Sequence, residues 1–245
     1  MKEEIKPALI RQHGPSSPPA LLADWLRERG MEYEVSRSWL GERVPDPRRY
    51  SFVASLGSRF SPRDAHEPAV AAELELIEHA VEQGVPVLGL CFGGQVLSAV
   101  LGGRTEPLPH PELGWHEIET RDPESVPPGP WLEWHFEGFT VPAGATLLAR
   151  TERSAQAFRY GPHLGIQFHP ESTVEVVAQW ARKDRESGRL GRFGIEDGSG
   201  LLAAPPGQRE AARKAAFRLF DAFLEHIREG GAGEPADETG GKERR

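Results

Sequence analysis

The chain has 245 residues, 38% of them hydrophobic and 27% charged, enough to bury a sizeable core in one domain or at most two. A formal net charge of −8 argues against phosphate-backbone binding as a main task, and the single cysteine excludes an internal disulfide. The first residues, MKEEIKPALIRQHG, lack the apolar core of a signal peptide, and no stretch approaches the ~20 apolar residues of a membrane span. The expected setting is cytoplasmic, with neither nucleic acid nor membrane as partner.

In chain order, ALIRQHG (8–14) reads as a strand that ends at glycine. PPALLADWLRERG (18–30) follows as a helix with Leu21, Leu22, Trp25 and Leu26 on one face and Gly30 as its stop. MEYEVSRSW alternates like a strand, and YSFVASLG (50–57) is a second β-rich run. EPAVAAELELIEHAVEQG (67–84) predicts a helix closed by Gly84. VPVLGL (85–90) is continuously apolar, as a strand covered on both faces would be, and QVLSAVLGG resumes a helical period. Strands alternating with helices in short units predict an α/β fold with a parallel sheet and helices on both sides.

From about Thr105 to Leu164 the pieces LGWHEIET, PWLEWHF, ATLLART and AQAFRY read as antiparallel strands appended to that sheet. HLGIQFHPEST is a last strand running into a loop, and TVEVVAQWARKDRES a helix. The glycine- and proline-rich stretch 188–207 reads as a loop. A long amphipathic helix, QREAARKAAFRLFDAFLEHIRE, carries Phe217, Phe220, Phe223 and Leu224 along one side. Residues 1–229 are expected to form one domain, and 230–245, without apolar anchors, a disordered tail.

The only cysteine, Cys91, stands between the apolar run and the next helix, in GLCFGGQ. A lone cysteine among glycines also suits a buried small residue. A nucleophile at this junction, however, sits on a tight strained turn, and Gly89 and Gly93 supply the small neighbours it needs. The helix would point free N–H groups and its positive end at the sulfur, favouring thiolate, and would set the Phe92 amide beside any oxyanion. A cysteine nucleophile needs a base and the base an orienting group. His169 and Glu171, two residues apart in GIQFHPEST, can face one side of an extended segment.

Together these segments resemble the class I (triad) glutamine amidotransferases, most closely the stand-alone relatives of the glutaminase domain of GMP synthetase. PVLGLCFGGQVLSAVLGG resembles the family's nucleophile segment, GIQFHPE its His–Glu segment, and SLGS (55–58) its oxyanion loop. With LGWHEIE and AQAFRYGPH the resemblance covers roughly residues 8–187. It implies a flavodoxin-like three-layer α/β/α fold and hydrolysis of a γ-glutamyl amide. Cys91 would attack the amide carbon, backbone amides of Ser58 and Phe92 would hold the oxyanion, and Gly57 would help bind the substrate. His169 would carry the proton and Glu171 would fix its tautomer. Gln95, matching the family's C-x-G-x-Q glutamine, would hold the substrate or the elbow.

The sequence departs from the family in EWHFEGF (133–139). His135 matches a His-Gly-Asp stretch that lines the glutamine pocket, but Phe136 and Glu137 replace its small and acidic positions. Either the strand end repacks or the pocket is reshaped. His110, His116 and His163 lack metal-ligand spacing, no phosphate-binding G-x-x-x-x-G-K-[ST] loop occurs, and FGIEDGSG follows no strand, so no metal or cofactor is expected. Trp25 and Trp180 read as core residues. The favoured function is a glutaminase that passes ammonia to a separate synthetase. The rivals are a γ-glutamyl peptidase that needs no partner and a non-catalytic binding protein that keeps the fold.

Overall fold

The computed structural model describes residues 6–230. Its first half runs β1 (Ala8–Gln12), α1 (Ala20–Glu28), β2 (Tyr33–Arg37), β3 (Val53–Ser55), α2 (Pro68–Glu82), β4 (Val87–Leu90) and α3 (Phe92–Val100). The second half continues with β5 (Thr105–His116), β6 (Glu119–Thr120), β7 (Trp131–Phe139), β8 (Thr146–Arg150), β9 (Ala155–Tyr160) and β10 (His163–Ile166). Two helices follow, α4 (Val174–Glu186) and α5 (Gln208–Arg228). Eight strands form one sheet in the order β2-β1-β3-β4-β10-β9-β8-β6. The first five are parallel and have the strand order of flavodoxin-like sheets, with β10 in the fifth place. β9, β8 and β6 extend the sheet antiparallel, as expected.

Alternation along the central strands decides which residues meet which helices. Ala8 and Ile10 of β1, Ala54 of β3 and Leu88 and Leu90 of β4 enter a core with α1 and α5, where Trp25 packs on Phe220. Their neighbours Leu9, Val53 and Val87 enter a second core with Ile77 of α2 and Val96 and Leu97 of α3. Both faces are therefore covered, which is why these strands read as unbroken apolar runs. Among the described residues no helix is long and apolar enough to cross a membrane. The tail expected at 230–245 lies, apart from Gly230, outside the described residues.

Two expectations change. β5 and β7 do not join the main sheet; they pair only with each other in a two-stranded ribbon. Pro107, Pro109 and Pro111 of β5 have no N–H to donate, so the strand cannot accept ladders on both sides. The ribbon instead builds a third core, in which Leu132, Trp134 and Phe136 meet Val177 and Ala181 of α4. The stretch 188–207 is not a bare loop. It forms two short 3-10 helices, Leu190–Phe193 and Gly198–Leu202, whose Leu190 and Leu202 are buried in that third core.

The ribbon also buries charge. His135 Nε2 lies 3.0 Å from Glu133 Oε2 and 3.4 Å from Glu112 Oε2, while its Nδ1 lies 2.9 Å from the carbonyl of Glu137. Acceptors at both ring nitrogens call for two protons, an imidazolium. Burial opposes that charge, but the adjacent carboxylates of Glu112 and Glu133 outweigh it and raise His135 to about 10.

The glycines around Cys91 are fixed by contact. A Cβ on Gly93 would lie 2.1 Å from the carbonyl oxygen of Ser55, and one on Gly94 2.5 Å from that of Ile166. Gly93→Ala should therefore cost about 3 kcal/mol or more, read as a lower midpoint in denaturant unfolding. For His135, a folded value above the unfolded one means stability present below pH 6.5 and lost as pH rises through 10. His135→Gln should melt well below wild type at pH 7, and the gap in thermal unfolding should narrow steadily toward pH 10.

Candidate active site

All the residues singled out at 57–58, 91–95 and 169–171 converge at the carboxyl ends of β3, β4 and β10. That is where open α/β sheets bind ligands. Cys91 has φ 51° and ψ −106°, a left-handed conformation that a non-glycine residue holds only when its surroundings enforce it. The enforcement is visible. Its N–H donates to the Ile166 carbonyl at 2.8 Å, and its carbonyl accepts from Gln95 N at 2.9 Å in the first turn of α3. The turn lifts the side chain toward the cavity that His169 and Gly57 also line.

His169 leaves β10 on an extended segment anchored by its N–H to the Leu132 carbonyl at 2.9 Å. Its Nδ1 lies 2.8 Å from Glu171 Oε1, which assigns the Nδ1 proton to this contact; Ser172 Oγ donates to the same oxygen at 3.2 Å. Nε2 is buried without a hydrogen-bond partner. Burial disfavours the imidazolium, but the charges of Glu171 and of the Cys91 sulfur outweigh it and hold His169 well above the ordinary histidine range. Gly57 fits between the two: a Cβ there would lie 3.0 Å from His169 Cε1 and 3.8 Å from Cys91 Cβ. The hydroxyl of Ser58 accepts from Phe60 N at 3.2 Å, and Ser58 lines the cavity that Cys91 reaches. Phe92, at the start of α3, is pinned by its ring against His13 at 5.0 Å.

Two cavities meet at Cys91. The smaller, about 190 Å³, reaches Gln95, His135, Phe136, Glu137 and Arg63. Gln95 Nε2 donates to the Glu137 carbonyl at 3.1 Å, and the His135 Nδ1 proton points at the same oxygen, so both residues shape this pocket through the backbone of β7. The Glu137 carboxylate is paired with Arg63. The Phe136 ring packs on Phe193 at 5.5 Å and under the Arg189 guanidinium at 3.7 Å, and it also borders the pocket.

The larger cavity, about 440 Å³, is walled by Trp134 and Trp180 and touches His169. Trp180, expected in the core, is half-buried against the third core and also packs on the His169 ring at 4.6 Å with its Nε1 on the Ser16 carbonyl at 2.6 Å. Gln167 was not foreseen: its Nε2 is 3.7 Å from Cys91 Sγ and its Oε1 accepts from Gln95. Its spacing of two from His169 was the available signal, since both then face one side of the strand. Arg189 had no such signal, because nothing in the chain shows that residues 188–207 fold back over Phe136.

The geometry has counterparts among known proteins. A family model described as glutamine amidotransferase class-I matches residues 60–179, which include Cys91, His169 and Glu171. The glutamine-hydrolyzing GMP synthase of Aeropyrum pernix is 35% identical over 242 residues, 84% of this chain and 45% of that protein. The chain thus spans less than half the length of that relative. Imidazole glycerol phosphate synthase subunit HisH of Thermosynechococcus vestitus is 32% identical over 150 residues, 48% of this chain and 72% of that subunit. A crystal structure of a glutamine amidotransferase from Methylobacillus flagellatus superposes with a TM-score of 0.78 at 25% identity. The superposition covers 98% of this chain and 100% of that one. In sequence and in the architecture that carries the strained cysteine, this chain belongs to the class-I glutamine amidotransferase family.

Proposed function

We propose that the protein hydrolyses a γ-glutamyl amide through a thioester on Cys91. One observation carries the reading: the Glu171-held imidazole of His169 presents an unpartnered Nε2 in the cavity that the strained Cys91 shares. The sulfur attacks the amide carbon, and the oxygen that gains charge lies toward the Ser58 and Phe92 amides. His169 Nε2 gives its proton to the departing nitrogen as the C–N bond breaks. It then takes a proton from water, whose oxygen displaces sulfur and releases glutamate. Glu171 holds the proton on Nδ1 throughout, which keeps Nε2 as the working nitrogen.

The glutamyl part fits the smaller cavity, where the Arg63–Glu137 pair offers one cation and one carboxylate to an amino acid head group carrying both charges. The names of the relatives, a synthase and a synthase subunit, support release of ammonia to a separate enzyme. A second reading, cleavage of a γ-glutamyl conjugate without a partner, is favoured by the size of the cavity at His169.

A glutamine-analogue electrophile should modify Cys91 alone, and Cys91→Ala should abolish turnover while keeping a wild-type unfolding midpoint. Mass spectrometry showing Cys91 unlabelled by the electrophile would remove it as the nucleophile. His169→Ala should lower kcat by about a thousandfold or more, and Glu171→Gln by less, since only the first removes the proton carrier. Steady-state kinetics with equal losses would give Glu171 a larger role than orientation.

A further inference from the structure

We infer that the larger cavity at Cys91 is a subsite for a leaving amine that carries a carboxylate and an apolar body, as in a γ-glutamyl amino acid or peptide. This rests on the γ-glutamyl amide reading above and adds the identity of the departing group. Of the two cavities that reach the sulfur, only the larger touches His169, the residue that protonates the departing nitrogen. The amine therefore leaves into that space. Ammonia, the size of a water molecule, needs on the order of 15 Å³; the cavity holds about 440 Å³.

Its walls state the chemistry of what would fill it. Trp134 and Trp180 supply flat apolar surface to its lining, and each has its indole N–H already satisfied, by Asp184 and by the Ser16 carbonyl. What remains of both rings for a ligand is apolar. Charge on the rim is unbalanced: Arg59, Lys183 and Arg189 face Asp184 alone. Arg189 is held between Asp184, at 3.8 Å, and the Phe136 ring. Lys183 and Arg59 have no ion-pair partner among the described residues, and Arg59 merely lies over the Phe60 ring at 4.8 Å. Two cations free to bind, lining the same cavity as the two tryptophans, fit an anionic group on a hydrophobic amine.

The reaction balances with water alone. The Cys91 thiol gives its proton to His169 as its sulfur bonds to the γ-carbon, and the C–N bond then breaks with that proton leaving on the amine. Water then replaces sulfur to give glutamate and restore the thiol.

The test is a matched trio compared by kcat/KM on the full chain: γ-glutamylphenylalanine, γ-glutamylphenethylamide, which lacks only the carboxylate, and glutamine. γ-Glutamylphenylalanine should exceed both, and exceed the phenethylamide by about tenfold, the scale of one charge-assisted hydrogen bond. In the double variant Lys183→Ala, Arg59→Ala the ratio between the two conjugates should fall toward one. Because that ratio is taken within one protein, it does not depend on how much of the variant is folded. Glutamine as the best of the three, a wild-type ratio near one, or a ratio that survives the double variant would each overturn the inference. Labelling of Cys91 by a glutamine-analogue electrophile separates the levels: in each of these cases a labelled Cys91 leaves γ-glutamyl hydrolysis standing, whereas an unlabelled, inactive protein removes both.

Discussion

The first turn of α3 is pressed so far into the sheet that backbone meets backbone, and the geometry of the site follows from that approach. Gly93 lies on the Ser55 carbonyl of β3, Gly94 on the Ile166 carbonyl of β10, and Gly89 on the carbonyl of Gly93 itself. With the helix this close, the chain cannot pass from β4 into α3 by ordinary angles, and Cys91 takes up the difference at φ 51°. The strain is thus paid by the residue whose side chain must stand clear of the surface. The hydrogen bond from Cys91 N to Ile166 O fixes the sulfur relative to β10, the strand that delivers His169. One packing constraint therefore sets both the position of the nucleophile and its distance from its partner residue.

Around this rigid centre the third core builds the specificity walls. The β5–β7 ribbon, α4 and the two 3-10 helices share Trp134, Phe136, Val177 and Leu190, and the same elements present Trp134, Trp180, Phe136 and Arg189 to the two cavities. Packing and pocket are two sides of the same side chains. That is why Phe136 resists assignment to one role: its ring is a support for Phe193 and Arg189 on one side and a boundary of the small cavity on the other. The imidazolium of His135 is bound up in the same wall, since its Nδ1 and Gln95 Nε2 both point at the Glu137 carbonyl. The position of Glu137, and with it the pair to Arg63, hangs on those two hydrogen bonds.

What the sequence made legible was whatever rests on local periodicity or on residues close along the chain. The alternation of Ala8, Leu9 and Ile10 between two cores, the glycines flanking Cys91 and the spacing of His169 and Glu171 are of this kind. The ribbon was misplaced although its cause was in plain view, since three prolines at alternate positions in β5 already forbid pairing on both sides. Less could be done with contacts between distant segments. Glu112 and His135 meet because β5 and β7 pair in one register, and Trp180 reaches His169 because Ser16, more than 160 residues earlier, accepts its N–H. Glycine content in 188–207 marked a loop correctly in composition and wrongly in role, because buried leucines at 190 and 202 tie the segment down.

Beneath the elbow lies a buried ion pair with a different kind of consequence. Arg11 Nε meets Glu73 Oε2 at 3.0 Å, both side chains being shut off from water, and Ser36 and Ser55 complete their hydrogen bonds at 2.6 and 2.7 Å. The pair joins the end of β1 to α2, under the strand whose Ser55 carbonyl receives Gly93. Losing one partner would strand the other charge in the interior, at a cost of roughly 3–5 kcal/mol, whereas apolar residues of similar volume at both sites can be neutral. The two positions are therefore a mutational lock. Descendants of this sequence can drift at either one only by changing both, so residues 11 and 73 should vary together or not at all, although they stand 62 positions apart and neither touches the reacting cysteine's cavities.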